Sequence, residues 1–455
     1  MTETAHAAKL RRWLDRLPPG VGADARLRTS RFTTMRFALG RITQPHLESQ
    51  ASLSLRVHVD GRLATATTAK LDEDGFDRLL RTAVALARVA PREPTFPGFP
   101  AGSDPVRPVP FAPIAGSSAP GTAAALARDA IDTARSLRPG ARVSGVVNLG
   151  DEALHVANSA GLLRSTLRSI AHASVLVEDL ASEPTASGWA EGAHWDPSRL
   201  NAARLGRRAA ERVARGPARY VPAGVYRVVL RSSAAAELWS VLGHLGFNAQ
   251  GALEGWGCLE RKRGRRVAPP WFHLVDDGRS ASSLPQSIDH EGVAKRRTML
   301  IDEGVARGPV TDLLTAGRLK VDPSGHGLPP ESPWGEYGPS PTQLLATGGD
   351  STEAELVKET RRGILVTRFH YVRVVHPAKA ILTGMTRDGT YLIDRGEVVA
   401  PIRNLRFTES ILTALHGLEA MGRTGERESD ERGTSAVTAP PILADRFRFT
   451  SATLF

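Results

Sequence analysis

The chain has 455 residues, 41% of them hydrophobic and 24% charged, so it exceeds one ordinary domain and can bury sizeable cores. A single cysteine, Cys258, excludes a disulfide framework and any cysteine-rich zinc module, and no stretch approaches the ~18 apolar residues of a membrane span. The net charge of +11 is almost wholly arginine, with seven lysines, and is dispersed except at Arg261-Lys262-Arg263-Gly264-Arg265-Arg266, so neither nucleic acid nor a membrane is expected as a partner.

Leu10, Trp13, Leu14 and Leu17 recur at helical spacing and predict an amphipathic first helix, and the N-terminus shows no apolar h-region. Leu53, Leu55, Val57 and Val59 alternate with Ser54, Arg56 and His58, the period of a half-buried strand. Asp60-Gly61 supplies a type I′ turn into a returning strand over 63–67. Phe76, Leu79, Leu80, Ala83, Leu86 and Ala87 mark the next helix and complete a first α/β unit over 1–98. Nine of the 31 prolines fall between Pro91 and Pro120, which predicts an extended linker over 99–120.

A second α/β unit spans 121–220. Ala123, Leu126, Ala130, Ala134 and Leu137 predict its first helix. Strands at 143–148 and 153–157 are joined by Gly150-Asp151, a turn follows at 158–161, and a helix covers 197–215. From 221 to 455 the pattern is mostly strands and turns: a strand at 225–230, a helix at 234–247, and strands at 298–301, 364–375 and 390–393. Dense glycine and proline predict a long ordered loop over 325–349, and the charged, then small and polar, stretch 423–439 reads as a flexible, solvated insertion. A last strand covers 444–450. The fold class is therefore α+β: two small α/β units at the N-terminal side, followed by a larger, mostly β C-terminal domain.

Few side chains suggest chemistry on their own. His370 and His376 lie six residues apart, roughly 20 Å along a strand, and cannot share one metal ion. Ser324-Gly325-His326-Gly327 reads as a glycine-rich turn with a solvated histidine. No Ser sits in a G-x-S-x-G elbow, no glycine-rich phosphate loop is present, and Cys258 has no evident base beside it. Glu237 to Gly246 is an apolar helix carrying one histidine, His244.

A series of short stretches nevertheless falls in a familiar order. It comprises Arg36-Phe37-Ala38, Arg41-Ile42-Thr43-Gln44, Val59-Asp60-Gly61-Arg62, Asn158-Ser159-Ala160-Gly161-Leu162, Glu291-Gly292-Val293, Ile301-Asp302-Glu303-Gly304-Val305, Gly363 to Phe369, Leu382 to Gly389, and Asp445 to Thr450. Over nearly its whole length the chain resembles the TldD/PmbA (TldD/TldE) family of metallopeptidase-related proteins. The resemblance implies a motif helix that in the catalytic TldD subunit reads HExxxH, with a distant C-terminal cysteine as third metal ligand. Aligned on the closing Gly-His, this chain reads Trp239-Ser240-Val241-Leu242-Gly243-His244, so Trp239 takes the first ligand position, Ser240 the base position, and only His244 remains. Cys258 lies 14 residues after His244, and the C-terminal stretch has no cysteine. His376 stands where relatives often carry an acidic residue before the proline.

What the resemblance implies is a TldE/PmbA-like, non-catalytic subunit of a heterodimeric, cytoplasmic, bacterial metallopeptidase. No residue of this chain is expected to hold metal or cofactor. Zinc is expected on a TldD-like, HExxxH-bearing partner subunit, with unfolded or small peptides as substrates and activity only in the complex. Arg261–Arg266 is either a solvated loop or a surface that meets the partner or an acidic peptide. Two other functions are compatible with the resemblance: a subunit of a peptidase or N-deacetylase serving antibiotic or modified-peptide biosynthesis, and a regulatory, DNA-associated binding protein.

Overall fold

The computed structural model describes residues 3–114, 119–181, 186–329, 332, 335–430 and 433–453. Six strands of the first half form one antiparallel sheet: β1 (Gly22–Ala38), β2 (Arg41–Val59), β3 (Arg62–Thr68), β4 (Arg142–Asn158), β5 (Leu163–Asp179) and β6 (Ala186–His194), in the order β3-β2-β1-β4-β5-β6. Asp60 and Gly61 both take positive φ, 50° and 73°, as the predicted type I′ turn requires. The two N-terminal α/β units share this sheet, because β1 pairs with β4 from Asp24↔Asn158 to Phe37↔Gly145.

Helices cover one face. α1 (Glu3–Leu14) and α2 (Glu73–Val89) lay Leu10, Trp13, Phe76 and Leu79 on Leu53 and Leu55, with the Trp13 and Phe76 rings stacked 5.0 Å apart. α3 (Ala119–Leu137) and α4 (Ala202–Glu211) cover Val147 and Val175 with Ala123, Ala130 and Leu205. The expected turn at Gly150-Asp151 is absent, and β4 runs through it as one strand. Gly150 faces Phe32 on β1, and a Cβ there would stand 2.3 Å from the ring, so this glycine makes room for an aromatic neighbour. The helix expected over 197–215 divides into a 3-10 turn, Pro197–Arg199, and α4, capped by the side chains of Asp196 and Asn201 respectively. Residues 99–114 run without regular structure. The Ala112 and Ile114 amides donate to Ser169 Oγ and the Asp151 carboxylate, while 115–118 lie outside the described residues.

The second half holds β7 (Gly224–Leu230), α5 (Ser232–Phe247), α6 (Ala249–Glu254), β8 (His273–Asp277), β9 (Arg297–Asp302), β10 (Val305–Ala306), α7 (Leu313–Leu319), β11 (Gln343–Thr347), α8 (Glu353–Glu359), β12 (Arg362–His376), β13 (Ile381–Asp394), β14 (Glu397–Pro401), β15 (Leu405–Ser410), α9 (Ile411–His416), β16 (Leu418–Met421), β17 (Glu426–Ser429), β18 (Ala436–Ala439) and β19 (Ile442–Ala452). One sheet runs β10-β9-β8-β11-β18-β17. In the other, β12 pairs with β7 on one side and β13 on the other, so β7, β19, β15, β13 and β12 close into a ring. The Phe369, Phe407 and Phe447 rings, with centroids 4.7 to 5.6 Å apart, pack together in that half. α5 is apolar nearly all round and lies against strands of both sheets, burying Leu238, Trp239, Leu242 and Leu245.

Residues 423–439 are not the expected flexible insertion: they supply β17 and β18, with 431–432 outside the described residues. Their charges are met one by one. Arg208 pairs with Glu426, Arg427 donates to the carbonyls of Ala193, Ala281 and Ser282, and Glu428 accepts from Ser233 Oγ at 2.8 Å. The stretch 325–349 likewise contains β11 and a 3-10 turn at Gly335–Tyr337. No helix among the described residues is long and apolar enough to cross a membrane.

Candidate functional site

α5 carries all three positions of the altered motif, and the structure separates their environments. Trp239 is fully buried, with its ring 5.3 Å from that of Phe272 and its Nε1 without a hydrogen-bond partner. One residue on, Ser240 reaches open space and borders two neighbouring cavities of ≈ 300 and ≈ 380 Å³, which also share Asp430 and Ser435. His244, one turn later, lines the second cavity, with its ring 5.8 Å from Trp256 and 6.0 Å from Tyr337. Burial holds the His244 imidazole down to about 4, so at neutral pH it carries no charge.

The metal centre implied by the sequence resemblance does not fit these residues. Indole offers no lone pair to a metal, and Trp239 faces the core instead of the cavity. Ser240 is a hydroxyl in place of a carboxylate base, which leaves one imidazole. Cys258 sits in the same core cluster as Trp239, with its amide bonded to Leu245 O, and burial pushes its thiol up to about 12. Among the described residues no three His, Cys, Asp or Glu side chains converge on a common point.

The smaller cavity is acidic. Glu191 on β6, Glu237 on α5 and Glu428 on β17 line it together with Trp189 and Arg368. Burial and the facing Glu428 raise the Glu191 carboxyl well above its ordinary range, and burial raises Glu428 too. Arg368 is already engaged: its Nε donates to Asp388 Oδ2 at 2.6 Å, its guanidinium lies 4.1 Å over the Trp189 ring, and Ser187 Oγ holds the other Asp388 oxygen at 2.7 Å. This set ties β6 to β12 and β13. Trp189, Glu191 and Glu428 were not singled out from the sequence, because β6 was not expected and β17 reads as solvated charge. The only signal was Trp189 and Glu191 two apart, on one face of a strand.

The larger cavity has a balanced lining. Arg28 and Arg168 both bind Glu152, at 2.5 and 3.0 Å. Burial alone would raise Glu152, but Arg168 and Arg28 prevail and hold it at about 2. Lys295, another lining residue, is buried and donates to Thr342 Oγ1 at 3.1 Å. Near it lies His326, which is not the solvated histidine expected. It is 1% exposed, bonded through Nε2 to Asp276 Oδ2 and through Nδ1 to Ser324 Oγ, both at 2.9 Å. Burial would raise Asp276, but Lys295, His326 and the Gln343 amide hold it well below the carboxylate range. This Ser-His-Asp chain is structural: Ser324 Oγ already donates to Thr311 O and accepts from the Thr311 amide, so it has no free proton to give up.

His370 and His376 both lie on β12, the latter exposed at its end. The Arg261–Arg266 cluster forms an exposed turn. His172 on β5 is 2% exposed with Nδ1 unpartnered, and burial outweighs the charge of Asp430 to lower it to about 4. Its unfolded value of ~6.5 is higher, so the unfolded chain binds the extra proton first. The stabilising effect of its neutrality is complete above pH ~6.5 and fades as pH falls toward ~4, on the order of 3 kcal/mol. Urea titrations at pH 7.5 and 4.5 should therefore show a smaller loss for His172→Asn than for the parent chain.

Three family models match the chain in sequence order: PmbA/TldA metallopeptidase domain 1 over 23–87, the central domain over 117–216 and the C-terminal domain over 223–451. A metalloprotease of Methanothermobacter thermautotrophicus is 26% identical over 224 residues, covering 48% of this chain and 47% of the relative. A metalloprotease TldD homolog of Haemophilus influenzae is 26% identical over 185 residues, covering 40% and 37%. The chain thus spans about half the length, or less, of the curated relatives it matches. Two solved structures share the fold along its whole length, each at 18% identity. TldE from Thermococcus kodakarensis gives a TM-score of 0.85 over 98% of this chain and 99% of that one. A candidate modulator of a DNA gyrase from Thermotoga maritima gives 0.84 over 99% and 100%.

Proposed function

Because the chain belongs to the PmbA/TldA metallopeptidase family, we propose that it is a non-catalytic, TldE/PmbA-like subunit that works in the cytoplasm as half of a heterodimeric metallopeptidase. The observation that carries the reading is Trp239: the first ligand position is filled by an indole locked in the core, beside a serine at the base position. A chain built this way contributes walls. The two cavities beside Ser240 then form part of the chamber through which unfolded or small peptides reach zinc on a TldD-type partner.

The test is reconstitution. Purified alone, the chain should hold no stoichiometric zinc and cleave no unstructured peptide. Mixed with a homologous HExxxH-bearing chain, it should co-elute as one species and cleavage should appear. Chelator-sensitive cleavage by the isolated chain would overturn the reading.

A further inference from the structure

A third cavity lies away from the motif face of α5, at the seam between the helices of the central unit and the closed C-terminal sheet. Its volume is ≈ 460 Å³. Four arginines line it from three directions: Arg138 after α3, Arg212 and Arg215 after α4, and Arg231 at the start of α5. Arg138 donates only to backbone, to Ala210 O at 3.2 Å and Val213 O at 2.6 Å, and Arg212 donates to Trp189 O at 2.8 Å. Among the described residues, only Arg231 has a carboxylate partner, Glu353 at 2.8 Å. The one carboxylate in the lining is the exposed Glu211, so four arginines line the cavity against Glu211 and the Glu353 that pairs with Arg231, and the lining carries an excess of positive charge. The crowding is felt: burial, then Arg231 and Arg208, lower the Arg212 guanidinium to about 10.

We propose that this seam cavity binds a phosphoryl-type oxyanion, free or as the ester of a small molecule. A planar carboxylate is served by one guanidinium fork, whereas arginines supplied by three separate elements suit an anion with oxygens on several sides. Leu365 and the Tyr391 ring add an apolar wall on which an organic ester would rest. Arg231 is also the N-cap residue of α5 and makes no side-chain cap bond, so the positive end of that helix adds to the field. An anion seated here would join the ends of α3 and α4 to the helix that carries Ser240 and His244.

Isothermal titration of the full chain, at fixed ionic strength with chloride as control, tests the site with two probes, inorganic phosphate and phenyl phosphate. Saturable binding is expected for at least one probe. Tighter binding of phenyl phosphate identifies an ester as the ligand, and equal binding identifies the free ion. Arg212→Gln removes a buried contact and can cost folding, so the deciding variant is Arg215→Ala, an exposed residue with no ion pair among the described residues. It should weaken Kd about 5- to 10-fold. No saturable heat above the chloride control, or the same Kd in Arg215→Ala and the parent chain, would overturn the proposal.

Discussion

Trp239→Ala should lower stability by about 3–5 kcal/mol, read as a shift of the urea midpoint at unchanged slope. The indole is fully buried against Phe272 within the largest hydrophobic cluster, and the surrounding sheets hold α5 too firmly to collapse into the gap. The same packing governs an attempt to rebuild the metal motif. In Trp239→His with Ser240→Glu, the new imidazole would enter an apolar site without a partner, and Cys258 stays protonated in the core. The double variant should lose stability and gain no tight zinc; equilibrium dialysis showing one zinc per chain would contradict this.

Arg56→Leu should cost a similar amount, about 3–5 kcal/mol, through a different mechanism. The Arg56 guanidinium spans both halves of the molecule: Nε and Nη2 donate to Asp24 Oδ2 at 3.1 and 2.5 Å, and Nη1 donates to Glu291 Oε1 at 2.5 Å. Glu291 is buried, with its other oxygen accepting from the Leu313 amide at 2.7 Å. Burial pushes the Glu291 carboxyl up and Arg56 pulls it down, so the variant removes the restraint. A carboxyl with a raised folded pKa destabilises above its unfolded pKa of ~4.3 and is relieved by protonation. The deficit of Arg56→Leu should therefore shrink between pH 7.5 and pH 5 in urea titrations. A deficit that is equal at both pH values would mean that the lost packing, and not the stranded carboxylate, dominates.

Much of this framework was legible where one face of an element is apolar. The alternation from Leu53 to Val59 and the Asp60-Gly61 turn gave the β2–β3 hairpin, and the helices α1, α2 and α3 showed their stripes. Legibility failed where burial depends on long-range pairing. Gly150 reads as a turn until Phe32, 118 residues away in sequence, is seen opposite it. The charges of 426–428 read as solvent-exposed until Arg208, Ser233 and the carbonyls of Ala281 and Ser282 are seen to receive them. His326 is the same case, since the aspartate that buries it lies 50 residues upstream. For the candidate site, the altered motif could be read as Trp239, Ser240 and His244, but not the cavities beside Ser240, whose walls come in part from β6 and β17, strands that no periodicity announced.

The pairing of β1 with β4 also sets a timetable for synthesis. β1 ends at Ala38, but its partner is complete only at Asn158, with the proline-rich stretch between them. At typical translation rates a ribosome takes on the order of ten seconds to cover that distance. During that interval the inner edge of β1 has no native neighbour, and its buried residues Leu27, Phe32 and Phe37 have only part of their final packing. A chain released by a stop near residue 100 would keep that edge permanently open, as a template for another copy of itself. A chain shorter than about 158 residues thus carries an exposed β1 edge that the finished fold covers.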